Sequence, residues 1–137
     1  MPRITRVLET ALYVDDLDRA VGFYRGVMAL RVLFLNPRMA ALDAGQGTVL
    51  LLFRRGASAA GAGGPDGWIP PHDGAGPAHF AFAIQAEDLA EWEAHLAAHR
   101  VTVESQITWE RGGTSVYFRD PDGHSVELAT PGVWETY

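Results

Sequence analysis

The sequence of 137 residues predicts an α+β fold: two tandem βαβββ modules forming a curved, cup-shaped mixed sheet around a metal or ligand cavity. Three observations predict it. Each half opens on a short stretch of alternating apolar residues, each stretch is followed by an amphipathic helical stripe, and a Gly/Pro-rich segment separates the halves.

The first half opens with Glu9-Thr10-Ala11-Leu12-Tyr13-Val14, whose alternation at Leu12 and Val14 reads as a half-buried strand. Asp15, Asp16 and Asp18 then suit a helix start, by capping and by the helix dipole. Leu17, Ala20, Val21, Tyr24 and Met28 share one helical face. Arg31 to Phe34 is a second strand. Met39 to Asp43, the turn Gly45-Gln46-Gly47 and Thr48 to Phe53 make a hairpin. The second half repeats this order. His79 to Ile84 is the leading strand, Glu87-Asp88 the helix start, and Leu89, Trp92 and Leu96 the helical stripe. Val101 to Glu104 is a second strand. Ser115 to Arg119, the turn Asp120-Pro121-Asp122-Gly123 and His124 to Ala129 form the closing hairpin. Module one therefore spans 5–55 and module two 78–131 of one domain, with a tail at 132–137. Between the modules, 11 of the 22 residues from Gly56 to Pro77 are Gly or Pro, which reads as a loop or linker outside both.

Composition narrows the function classes. There is no cysteine, so disulfides, zinc–thiolate sites and a cysteine nucleophile are excluded, and any metal must be held by oxygen and imidazole nitrogen. A net charge of −6 argues against nucleic acid as the main partner. No apolar run reaches membrane-span length, and the N-terminal residues lack a secretory pattern, so the expected location is the cytoplasm.

If the halves are structural copies, equivalent positions face one cavity. Glu9 then matches His79, each the first residue of its leading strand. Glu127, four residues after Gly123, matches Leu51, four residues after Gly47. Three of these four positions carry metal-capable side chains. One imidazole with two carboxylates suits Fe(II), Mn, Ni, Co or Zn and leaves coordination positions open for substrate. Glu9 and Glu127 each lie within an apolar strand, where an inward carboxylate needs a partner such as a cation.

The phrase Tyr13-Val14-Asp15-Asp16-Leu17-Asp18-Arg19-Ala20-Val21-Gly22-Phe23-Tyr24 resembles the start of glyoxalase/bleomycin-resistance/extradiol-dioxygenase proteins, the vicinal oxygen chelate superfamily. Tyr117-Phe118-Arg119-Asp120-Pro121-Asp122-Gly123-His124-Ser125-Val126-Glu127-Leu128 resembles their end. The resemblance implies the paired βαβββ fold and one divalent metal held by Glu9, His79 and Glu127. Glu9 stands where members usually carry His or Gln, and Leu51 where glyoxalase I has a fourth, Glu ligand. Ala11 stands where fosfomycin-modifying members have Thr, and their Lys has no counterpart in a chain without lysine.

These readings converge on a glyoxalase-like metal-dependent enzyme, of lyase, isomerase or ring-cleaving dioxygenase type, acting on a small oxygen-bearing molecule. Glu9 or Glu127 could also leave the metal and act as general base. The alternative is a metal-free binding protein that sequesters a small molecule, as bleomycin-resistance members do. Tyr117, Arg119, Trp109 and His72 are candidate substrate contacts. His124, after a turn glycine, is expected to be exposed, and His95 and His99 to lie on a solvated helix face. Trp134 is a second candidate pocket wall. Open sheet edges favour a homodimer, with the tail Trp134-Glu135-Thr136-Tyr137 crossing to a partner.

Overall fold

The structure, a computed structural model, describes residues 1–137 and comprises two compact units, Met1–Ala75 and Gly76–Tyr137. The first contains β1 (Glu9–Val14), α1 (Leu17–Gly26), β2 (Arg31–Leu35), β3 (Met39–Asp43) and β4 (Val49–Arg54), then a small hairpin of β5 (Ala62–Gly64) and β6 (Gly67–Ile69). The second contains β7 (His79–Ala83), α2 (Leu89–Ala98), β8 (Ser105–Thr108), β9 (Thr114–Arg119) and β10 (Ser125–Ala129). Each unit builds the same four-stranded mixed sheet, in orders β1-β4-β3-β2 and β7-β10-β9-β8. In each, the leading strand pairs parallel with the last one, while the remaining pairs are antiparallel. The expected α+β fold of two like βαβββ modules is therefore present.

In the first unit, Leu12, Val14, Ala40, Leu42, Leu50 and Leu52 are buried with Leu17, Ala20, Val21 and Tyr24 of α1. Asp16 starts α1 as anticipated, its side chain accepting a hydrogen bond from the Arg19 N–H at 3.1 Å. The β3–β4 turn uses positive φ at Gly45, Gln46 and Gly47, and the two glycines adopt it without the penalty a Cβ brings. In the second unit, Val116, Phe118, Val126, Leu128 and Leu96 are buried. A short 3-10 turn, Ala86–Asp88, precedes α2, and no side chain caps that helix.

Three expectations change. The second strand of module two is Ser105–Thr108, not Val101 to Glu104, because Ser105 to Thr108 takes the register opposite Tyr117 to Thr114. The Gly56–Pro77 segment carries the β5–β6 hairpin and is held against its own sheet. Arg38 donates to the Ala57 carbonyl at 2.9 Å, the Gly56 N–H to Asp73 at 3.1 Å, and the His72 N–H to the Ser58 carbonyl at 3.0 Å. The tail, finally, folds back within its own unit: the Tyr137 hydroxyl donates to the carbonyls of Ile84 and Ala129 at 3.0 and 3.1 Å.

Candidate metal centre

Register decides which side chains share a sheet face. Glu9 sits opposite Val49, and Ala11 opposite Leu51. His79 sits opposite Ser125, and Ala81 opposite Glu127. Glu9 and His79 therefore hold the same place in their respective sheets, as do Leu51 and Glu127. On the second sheet, alternation puts Val116, Phe118, Val126 and Leu128 on the core face and His79, Ser115, Tyr117 and Glu127 on the other.

His79 and Glu127 are brought together. The His79 Nε2 lies 3.2 Å from Glu127 Oε2. The other ring nitrogen, Nδ1, lies 2.9 Å from the Ser125 carbonyl, which can only accept, so Nδ1 carries a hydrogen. With that hydrogen placed, a neutral ring turns a lone pair at the carboxylate. The approach is stable only with a proton on Nε2 or a cation shared by both groups. Glu127 is buried, and Ser115 donates to its Oε1. Burial of the Tyr117 ring, with the Glu127 charge adding to it, pushes the Tyr117 phenol above its ordinary range, so it is protonated at neutral pH. This donor pair fits a divalent metal as two of its ligands.

Glu9 is exposed, which corrects the expectation that its carboxylate is buried and in need of a partner. It lines a cavity of about 570 Å³ between the first sheet and the Gly/Pro-rich segment, with Tyr13, Met39, Leu51, Phe53 and His72. His72 reaches this cavity: its Nδ1 lies 2.8 Å from the Tyr13 hydroxyl, and its ring packs edge-on to Phe53 at 4.5 Å. Burial, with the charge of Asp73 second, pushes the Tyr13 phenol up, so its hydroxyl also keeps its proton. No three His, Asp or Glu side chains gather as a metal-sized group within the single chain.

The other candidates divide. Trp109 is partly exposed and donates its indole N–H to Ser115 at 2.8 Å. Arg119 spends its guanidinium on Glu104 and on the Gly123 carbonyl. Trp134 is exposed. His99 is exposed, its ring 4.3 Å from that of His95. His124, expected at the surface, is buried, because Asp120 accepts from its backbone N–H at 2.9 Å and faces its Nδ1 at 2.7 Å. Sequence reasoning missed Ser115 as a functional residue. The available signal was its place on the face of Glu127, one alternation from Tyr117.

The family model of the Glyoxalase/Bleomycin resistance protein/Dioxygenase superfamily matches residues 6–128. The crystal structure of lactoylglutathione lyase from Agrobacterium tumefaciens is similar at 36% identity and a TM-score of 0.89, over 98% of this chain and 99% of that one. The glutathione transferase FosA of Serratia marcescens is 30% identical over 117 residues, 85% of this chain and 74% of the relative. The metallothiol transferase FosB of Bacillus licheniformis is 45% identical over 58 residues, a match that covers 42% of this chain and 38% of the relative.

Proposed function

The chain belongs to the glyoxalase/bleomycin resistance protein/dioxygenase superfamily, and from that premise we propose that it is a divalent-metal-dependent enzyme with lyase or isomerase chemistry on a small oxygen-bearing substrate. The observation that carries this is the His79–Glu127 pair, an imidazole nitrogen and a carboxylate oxygen 3.2 Å apart on one sheet face, which a divalent cation can bridge in place of a proton on Nε2. A metal held by Glu9, His79 and Glu127 would supply Lewis-acid polarisation of two neighbouring substrate oxygens. The likeness to a lactoylglutathione lyase over the full length supports this class. The likeness to FosA and FosB supports a thiol-transfer variant less well, because Ala11 and the absence of lysine depart from the fosfomycin-modifying pattern.

The residues of the chain have distinct tasks in this reading. The cavity beside Glu9 takes the apolar arm of the substrate against Met39, Leu51 and Phe53, and the Tyr13–His72 pair offers it a polar contact. Tyr117, whose hydroxyl is hydrogen-bonded to Glu127 and Ser115, lines the same sheet face as the His79–Glu127 pair. The reading takes the third ligand, Glu9, from a partner subunit, the open edges of each four-stranded sheet favouring a homodimer. Titration with Zn, Ni, Co, Mn or Fe(II) tests it: at least one should raise the melting temperature of the native chain, because a ligand bound only by the folded state stabilises it. His79→Ala should abolish the rise. No rise with any of the five would favour a metal-free binding protein.

A further inference from the structure

A hydroxyl has one hydrogen, and an indole N–H can only donate. These two rules, beside a Tyr117 hydroxyl that is itself hydrogen-bonded to Ser115 and Glu127, order the contacts of the Ser115 hydroxyl. The Trp109 Nε1–H lies 2.8 Å from Ser115 Oγ, so Ser115 must accept there. Its own hydrogen is then directed elsewhere, and the acceptor in place is Glu127 Oε1. Ser115 is fully buried and Glu127 nearly so, which leaves little water to substitute for either partner. The consequence falls on the second carboxylate oxygen: with Oε1 held from behind, Oε2 is the oxygen turned to His79 Nε2 at 3.2 Å.

We infer that Ser115 and Trp109 are positioning residues, a donor relay that fixes the Glu127 carboxylate in one rotamer and presents Oε2, with His79 Nε2, to a divalent cation. Trp109 is thus more than a candidate pocket wall. It lies just beyond the end of β8, within a turn in which the Trp109 N–H donates to the Gly113 carbonyl and the Gly112 N–H to the Trp109 carbonyl. That turn aims the indole N–H at the start of β9. The relay also couples the site to a partly exposed indole, so events at Glu127 are reported by Trp109. The inference rests on the proposed metal site, and its test separates the two.

The test uses the indole N–H signals of the full-length protein in an 15N–1H spectrum, with Trp109→Phe assigning the Trp109 signal among the four tryptophans. In metal-free protein, Ser115→Ala and Glu127→Gln should each shift the Trp109 signal and leave that of Trp68, in the other unit, in place. In zinc titrations followed by calorimetry, Ser115→Ala should weaken uptake by roughly 10- to 100-fold, the usual effect of losing a group that orients a metal ligand. Ser115→Thr, which restores the hydroxyl on a β-branched strand residue, should recover most of it. A Trp109 signal that stays in place in both metal-free variants overturns the relay. So does zinc binding by Ser115→Ala as tight as in the native chain. Metal-free shifts as expected together with no zinc uptake by the native chain overturn the metal reading itself, and with it the purpose assigned to the relay.

Discussion

The strand register of the candidate residues was legible residue by residue, for a geometric reason. Strand residues alternate faces, and the turn glycines Gly47 and Gly123 mark the same point in each hairpin, so counting from them places Leu51 and Glu127 in register. Side-chain partners that depend on a third strand or a turn were not legible. Asp120 was readable as a turn residue, but its capture of His124 was not, because the pattern Asp120-Pro121-Asp122-Gly123-His124 gives no sign that the carboxylate is itself buried. His124→Ala should therefore destabilise, by about 1–3 kcal/mol in urea unfolding, since Oδ2 of a buried carboxylate loses the imidazole while the backbone N–H groups of residues 122 and 124 still hold Oδ1. A loss under 1 kcal/mol would mean the pair is inert. Arg119→Ala, by contrast, breaks only an exposed pair with Glu104 and should cost less than about 1 kcal/mol in the same assay.

At the scale of elements, strands and helices followed the apolar periodicity, and the errors fell where periodicity is weak. Val101 to Glu104 alternates as well as Ser105 to Thr108, and only pairing with β9 distinguishes them. The Gly/Pro-rich segment carries no periodicity at all, and what holds it is hydrogen bonding from Arg38, Arg55 and Gly56. Gly74 packs so closely that a Cβ would lie 2.4 Å from the Tyr13 ring. Gly74→Ala should therefore push the segment off Tyr13 and increase limited proteolysis within 56–75, while the sheet keeps its melting transition. Asp73 gives the same element a pH dependence. Backbone N–H groups of Gly56 and Gly74 lower its pKa in the folded state, so its hold is present above the ordinary carboxylate value of about 4 and is lost as pH falls through the depressed one. Cutting at 56–75 should then rise in acid for the native chain, whereas Asp73→Ala should be cut faster already at pH 7 and gain little more in acid.

At the scale of the whole molecule, the proposed ligand set draws on both units: Glu9 beside an apolar cavity in one, the His79–Glu127 pair in the other. No helix is long and apolar enough to cross a membrane. The central claim is that these halves meet on one divalent metal when two chains assemble, and mixing variants tests it most directly. Glu9→Gln chains and His79→Ala chains each lack one ligand in every site. Unfolded together and refolded as a mixture, they form some mixed dimers in which one of the two sites has Glu9 from one chain and His79 with Glu127 from the other. The measurement is zinc bound per chain after dialysis. The account predicts almost none for either variant alone and recovery to about a quarter of the native value in an equal mixture that pairs at random. A mixture that binds no more zinc than its separate components, while the native chain binds fully, would contradict it.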